Sequence, residues 1–346
     1  IFVVMKFLRI LLFPFAIVYD VVTTIRNIFF DIGIFKQTSF QTPIIIVGNL
    51  SVGGTGKTPQ IEYLIRLLKD RFKVAVLSRG YKRNTKGYLL LNNSHTALNV
   101  GDEPLQYYKK FGNISVAVDA NRVEGASNLI VQKSPEVILL DDAYQHRKIK
   151  GSFYILLTKY NDLFVDDFLL PTGNLRESSR GASRTDVMII TKCPENLTLE
   201  HQNSIKKRLE KFTKKIFFTT ISYGKIISIH QELSIGELKN YTILLITGIA
   251  NPVPLLAYLD ANNYNFKHLK YKDHHHFSSN EITEIHQEFS AIETNKKIIL
   301  TTEKDYTRLQ CKLDNLYYIT IETKFLADCH SVFDQEIINH IQQNRC

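Results

Sequence analysis

The run Ser51-Val52-Gly53-Gly54-Thr55-Gly56-Lys57-Thr58 ends a glycine-rich stretch with a lysine and a hydroxyl. Backbone N–H groups that turn inward around a polyanion need neighbours without bulky side chains. Lys57 can then reach the outer phosphates of a nucleotide, and Thr58 can offer its hydroxyl to Mg2+. The usual pattern, G-x-x-x-x-G-K-[ST], opens on glycine, whereas Ser51 stands there. A second acidic signal is Asp141-Asp142, which follows the apolar residues 137–140. An acid at the end of an apolar strand is the usual Mg2+ partner of a phosphate loop, because the hard cation takes oxygen ligands. Asp141, Asp142 and Thr58 are therefore the expected metal ligands, and residues 51–58 the expected nucleotide site.

Three further stretches carry reactive side chains. Asp102 lies in Gly101-Asp102-Glu103-Pro104 at the start of a helical pattern. From spacing alone it reads as a helix cap more readily than as a base. Arg176 sits in Leu170-Pro171-Thr172-Gly173-Asn174-Leu175-Arg176-Glu177. It could stabilise charge on a transferring phosphoryl group or belong to a plain surface loop. Asp273-His274-His275-His276 precedes another helical pattern. Adjacent histidines rarely point at one ion, and no cysteine accompanies them, so a catalytic or substrate-binding histidine is the better reading. Basic residues in Ser78-Arg79-Gly80-Tyr81-Lys82-Arg83 follow a strand-like run, where α/β folds bind ligands.

Apolar runs at 43–47, 74–77, 116–118, 137–140, 153–158 and 186–191 read as strands, with helical patterns between them. That alternation predicts an α/β fold with a doubly wound parallel sheet. Residues 216–222 read as a connecting strand. A second, smaller α/β unit follows, with strands near 242–247, 266–270, 297–301 and 317–321 and helices near 279–290 and 330–343. The expected division is a helix in 1–35, a phosphate-loop domain in 36–222 and a C-terminal α/β domain in 223–346. Because the second unit has no phosphate loop of its own, a nucleotide is expected in the cleft between the two.

The 346 residues suffice for two domains. A formal charge of +9 suits anionic partners without choosing among nucleotide, nucleic acid and lipid. The four cysteines are scattered, which excludes a C-x-x-C zinc site or disulfide framework and fits a reducing compartment. Residues 1–30 are mostly apolar and admit three readings. A secretory signal lacks a small-residue cleavage site, and a spanning helix is interrupted by Asp20 and Arg26. An interfacial helix fits best, since Lys6, Arg9, Asp20, Thr24, Asn27 and Asp31 share one face. Phe13 intrudes on that face, Pro14 is expected to kink or split the helix, and the apolar face could instead pack on the protein's own core.

Taken together these stretches resemble the tetraacyldisaccharide 4'-kinase family. The matching pieces are Val47-Gly48-Asn49-Leu50 through Thr58-Pro59, Ser78-Arg79-Gly80-Tyr81, Gly101-Asp102-Glu103-Pro104, Leu140-Asp141-Asp142-Ala143-Tyr144-Gln145-His146-Arg147, Gly173-Asn174-Leu175-Arg176-Glu177, Asp273-His274-His275 and Thr302-Glu303-Lys304-Asp305. Ala143-Tyr144 replaces the family's usual Gly-Phe. The resemblance implies transfer of the γ-phosphoryl group of ATP, with Mg2+, to the 4'-hydroxyl of a tetra-acylated glucosamine disaccharide 1-phosphate in lipid A synthesis. It implies that Lys57 and Thr58 hold phosphates and metal, that Asp141 and Asp142 organise the metal, that Asp102 with His274 activates the hydroxyl, and that Arg176 stabilises the transferred charge. The implied partners are ATP, the acylated disaccharide lipid and a membrane surface, with no nucleic acid. The implied place is the cytoplasmic face of the bacterial inner membrane. Two rivals are a metallochaperone-type GTPase, which would carry an extra lysine where Val52 stands, and a non-enzymatic basic binding module. Thr191-Lys192-Cys193-Pro194 lacks the aspartate with which a GTPase reads guanine, which favours ATP.

Overall fold

The computed structural model describes residues 9, 11–310, 312–327 and 329–344. Its strands are β1 (Ile44–Asn49), β2 (Val74–Ser78), β3 (Leu89–Leu90), β4 (Ser115–Val118), β5 (Val137–Asp141), β6 (Phe153–Lys159), β7 (Val187–Thr191), β8 (Ile216–Ile227), β9 (Glu232–Leu233), β10 (Thr242–Thr247), β11 (Phe266–Lys270), β12 (Lys297–Thr302) and β13 (Leu316–Phe325). The helices are α1 (Phe13–Asp31), α2 (Lys57–Leu68), α3 (Ala97–Val100), α4 (Asp102–Lys110), α5 (Arg122–Lys133), α6 (Leu199–Leu209), α7 (Val253–Ala261), α8 (Ser279–Ser290), α9 (Glu303–Leu309) and α10 (His330–Gln343).

The thirteen strands among the described residues form one sheet, ordered β11-β10-β12-β13-β8-β7-β6-β1-β5-β2-β4-β3, with β9 on β8. Pairing is parallel from β8 to β4 and again from β11 to β13. The two parallel blocks join through the antiparallel pair β13 and β8. β8 does this by its length: Ile216–Phe218 pair with β7, and its later residues pair with β13. The connecting strand expected at 216–222 is thus the hinge line of one continuous sheet.

Parallel strands are covered on both faces, so they read as unbroken apolar runs. Ile45 and Val47 of β1 point into a core with Ile61 and Leu64 of α2 and Phe333 and Ile337 of α10. Ile44 and Ile46 point the other way, toward Ala126 and Leu129 of α5 and Ile205 of α6. The second block is likewise covered by α7 on one face and by α8 and α9 on the other. This is the doubly wound arrangement, with the smaller α/β block continuing the same sheet.

α4 and α9 meet across the seam between the blocks. Lys110 Nζ lies 2.7 Å from Glu62 Oε2 on α2 and 2.6 Å from Glu303 Oε1 on α9, and both carboxylates are buried. Burial and the neighbouring Glu62 push the Glu303 carboxyl up, and Lys110 pulls it back. Removing the shared cation leaves buried charge uncompensated, a loss of about 3–5 kcal/mol when a buried pair is broken. Lys110→Met is therefore expected to destabilise the fold by about 3 kcal/mol, read from denaturant midpoints. A loss under about 1 kcal/mol would show that the cluster behaves like a surface ion pair.

Candidate active site

β1 runs into the glycine-rich loop, and α2 begins at Lys57. Gly56 is the residue before the helix and takes a left-handed conformation, φ 88°, that a side chain would strain. Gly53 and Gly54 are exposed, so the loop's inner backbone is open to a ligand. The loop is braced on both sides. Thr191 Oγ1 donates to Thr55 O at 2.8 Å, and Lys192 Nζ donates to Gly54 O at 2.7 Å. On the other edge, Val52 N donates to Asn174 O and Arg176 N donates to Leu50 O, so 174–176 lies against 50–52 like a short antiparallel strand. That pairing delivers Arg176 to the loop and replaces the plain surface-loop reading.

Arg176 Nη1 reaches both Asp142 oxygens, at 2.9 and 3.1 Å. Lys57 Nζ stands 3.5 Å from Asp142 Oδ1 and 3.3 Å from Asn49 Oδ1. Burial opposes ionisation of Asp142, but Lys57 and Arg176 outweigh it and hold the carboxyl below its usual range. Asp141 ends β5 with its carboxylate turned inward. Its Oδ2 accepts from Ser78 Oγ at 3.3 Å and from the Tyr107 hydroxyl at 3.4 Å. Burial and the adjacent Asp142 push Asp141 up to about 7, with Lys57 pulling the other way. A buried carboxylate that is short of positive charge, beside a threonine hydroxyl at a helix N-terminus, is the donor set a hard divalent cation takes. Tyr107, whose hydroxyl reaches Asp141, also feels the Thr58 side chain. Among the described residues no three histidine, cysteine or carboxylate side chains gather as a metal cage. A phosphate-loop Mg2+ needs none, because phosphate and water fill most of its shell.

Asp102 is in the first turn of α4, and Gly101, not Asp102, occupies the position before the helix. The helix-cap reading is therefore overturned. Asp102 Oδ2 lies 2.7 Å from His274 Nδ1, and Asp102 Oδ1 accepts from Arg308 Nε at 2.9 Å. Arg308 Nη2 also donates to Asp102 Oδ2, closing a two-pronged pair. Burial would push the Asp102 carboxyl up, but the hydrogen bond from His274 and the pairing with Arg308 hold it well below the usual carboxylate range. An ionised oxygen so close to Nδ1 requires the proton to sit on Nδ1. Nε2 then carries the lone pair, and Lys304 Nζ faces it at 3.1 Å. His274 itself has φ 61°, and its N–H donates to Gly248 O.

α1 lies along the same rim. Its polar side faces the body: Tyr19 donates to Arg176 O at 2.8 Å, Asn27 Nδ2 donates to Glu177 Oε2 at 3.0 Å, and Asp31 pairs with Arg147 at 2.6 Å. Phe13 meets Phe168 edge to face. The apolar side faces out, with Phe15 65% and Val18 62% exposed, so it does not pack on the protein's own core. Pro14 sits in the first turn of α1; Arg9 and Leu11 before it are also helical and Leu12 is a turn, so the helical stretch is split beside the proline, as expected. Lys6 lies outside the described residues.

Ser51, Val52, Gly53, Gly54, Thr55 and Gly56 form the loop and Lys57 and Thr58 open α2, with Asp142 and Arg176 at Lys57, and Asp102 with His274 at the start of the helix whose Tyr107 meets Asp141. The triple histidine disperses as expected: His275 bonds Glu281 and stacks on Tyr271. Sequence reasoning missed Arg308 and Tyr107. Neither has a local signal, because Arg308 meets Asp102 across 206 positions and Tyr107 meets Asp141 across 34. The turn after Asp142 docks α1, through Gln145 O accepting from Arg26 and Arg147 pairing with Asp31.

A strand, a phosphate loop and a helix N-terminus in a doubly wound sheet, with an acid–imidazole pair beside them, define an α/β phosphotransferase of the phosphate-loop class. The family model described as tetraacyldisaccharide-1-P 4'-kinase matches residues 8–341. A tetraacyldisaccharide 4'-kinase of Flavobacterium psychrophilum is 51% identical over 98% of this chain and 99% of its own. One from Bacteroides thetaiotaomicron is 43% identical over 96% and 93%. The crystal structure of LpxK from Aquifex aeolicus in complex with ATP superposes with a TM-score of 0.78 at 30% identity, covering 96% of this chain and 99% of that one. The chain belongs to the tetraacyldisaccharide 4'-kinase family.

Proposed function

We propose that this chain transfers the γ-phosphoryl group of ATP to the 4'-hydroxyl of a tetra-acylated glucosamine disaccharide 1-phosphate, a step of lipid A synthesis. The observation that carries the reading is that Lys57 and Arg176 both meet Asp142, while Asp102, paired with His274, opens the helix whose Tyr107 reaches Asp141. Residues 51–58 hold the nucleotide phosphates. Thr58, Asp141 and Asp142 are the residues that would hold Mg2+, which when bound neutralises phosphate charge. The acceptor oxygen forms a bond to γ-phosphorus as the β–γ bridging bond breaks and ADP leaves. The hydroxyl proton passes to Nε2 of His274, while Asp102 keeps the imidazole in the Nδ1–H form. Arg176 neutralises charge on the transferred group. The working parts are residues 1–35, 36–222 and 223–346. The test is transfer of label from γ-labelled ATP to the disaccharide lipid, with GTP and RNA as controls. Equal use of GTP, or ATP hydrolysis unaffected by the lipid, would overturn the reading.

Membrane contact belongs to the same proposal. α1 is long and apolar enough to cross a bilayer by composition. Its polar side is tied to the body along much of its length, which supports a helix lying on the cytoplasmic face of the inner membrane, peripheral or monotopic. Deleting α1 would also strip Tyr19 and Asn27 from the active-site rim, so point charges are the cleaner probe. Phe15→Glu with Val22→Glu is expected to weaken binding to anionic vesicles by about tenfold or more, measured by co-sedimentation, while ATP binding is retained. Unchanged vesicle binding would remove the anchor.

A further inference from the structure

We propose that Arg308 is a positioning residue for the phosphoryl transfer, holding Asp102 in place across the seam so that its carboxylate meets His274 Nδ1. This rests on the reading of that pair as the group that activates the acceptor. The two partners come from different blocks of the sheet: Asp102 opens α4, and His274 stands in the loop between β11 and α8. Arg308, on α9 of the second block, reaches back to Asp102, as Lys304 of the same helix does to Glu103.

Its guanidinium is 4% exposed and fully committed. Nε and Nη2 take the two oxygens of Asp102, and Nη1 donates to His275 O at 3.3 Å and lies 3.5 Å from Asp305 Oδ1. Asp305 is fully buried. It is fixed in turn, since its Oδ2 accepts from Gly248 N and Thr302 Oγ1, both at 2.8 Å. Gly248 O accepts from His274 N, so the same short network sets the backbone of the histidine. A planar fork pre-organised on a buried base gives a carboxylate one orientation, which a lysine cannot do. The charge matters as well as the fork. His274 is faced by Asp102, Arg308, Lys304, Asp273 and the ring of Tyr81. Arg308 offsets the negative charge of Asp102 on the Nδ1 side of the ring, while Lys304 Nζ stands 3.1 Å from Nε2.

The test compares Arg308→Gln and Arg308→Lys with Asp102→Asn and His274→Ala in the full chain, using kcat, the KM for ATP and the pH dependence of kcat. Arg308→Gln is expected to lower kcat by about tenfold or more and to leave the KM for ATP within about twofold. Without the cation, the imidazolium beside Asp102 holds its proton more tightly. The acidic limb of the kcat profile therefore moves to higher pH, by about one unit. Arg308→Lys is expected to return the limb toward its original position and recover only part of the rate. A normal rate in Arg308→Gln, or a loss with the limb unmoved in both variants, would overturn the proposal, the second marking Arg308 as a purely structural tie. If Arg308→Gln does not fold, Arg308→Lys decides alone: full activity overturns the positioning role, and a reduced kcat with unchanged KM for ATP supports it. Near-normal rates in Asp102→Asn and His274→Ala would instead overturn the pair itself.

Discussion

Lys57→Ala is expected to lower kcat by about 10³-fold while the chain stays folded. The ammonium is held at the mouth of the loop by Asn49 and Asp142, with no part in the apolar core. Removing one preorganised charge or donor aimed at a transition-state oxygen costs about 10²–10³ in rate. Here a second effect adds to the first. Lys57 is among the groups that keep Asp142 ionised and pull Asp141 down. Its loss leaves two adjacent carboxylates facing the incoming phosphates, with Arg176 on Asp142 and Arg122 near both. Lys57→Arg is not a rescue, because a planar fork cannot replace a compact ammonium in that space. The measurements are steady-state turnover at saturating ATP and a thermal melt of the same preparation. Near-normal turnover in a folded Lys57→Ala protein would sink the assignment of residues 51–58 as the phosphate site.

Asp102→Ala and His274→Ala are each expected to cut kcat by about 10²-fold or more, within the range of general acid–base effects. A sugar hydroxyl is a poor nucleophile at neutral pH, so the loss falls on the chemical step. Neither residue belongs to the phosphate loop, and ATP binding should change little. The two side chains lie 2.7 Å apart. The pair acts as a unit, so the double variant should lose little beyond the worse single one. Asp102→Ala carries an added stability loss, because it strands the buried guanidinium of Arg308. Asp102→Asn, read beside it, separates that loss from the rate effect. Two small and additive losses in kcat would remove the dyad.

What could be read from the chain alone followed from short spacings. The phosphate loop needs its glycines, lysine and threonine within one turn of the strand that feeds it, so residue types at fixed offsets suffice to predict it. Most strands in parallel blocks were legible because burial on both faces leaves an unbroken apolar run, as at residues 43–47 and 137–140. The polar stripe of α1 was legible from its helical period, since Asp20, Thr24, Asn27 and Asp31 return to one face. Charges that act at a distance along the chain were not. The pairing of Asp102 with Arg308, the bridge from Lys110 to Glu303 and the delivery of Arg176 beside Asp142 join residues far apart in sequence.

The case of α1 shows where the division falls. Its sequence by itself determined that one side is polar and the other apolar, because a period of about 3.6 residues sorts side chains whatever surrounds them. It did not determine which side turns inward. Tertiary structure decided that, by placing Arg176 O, Glu177 and Arg147 within reach of Tyr19, Asn27 and Asp31. The same holds for the catalytic pair. Local chemistry made Asp102 a good cap and named no partner for His274. Only the sheet, by carrying α4 and α9 to one seam, set a buried guanidinium between the blocks and turned the aspartate's oxygens toward the imidazole. A carboxylate goes to the strongest donors that can reach it, and which donors can reach it is a property of the fold.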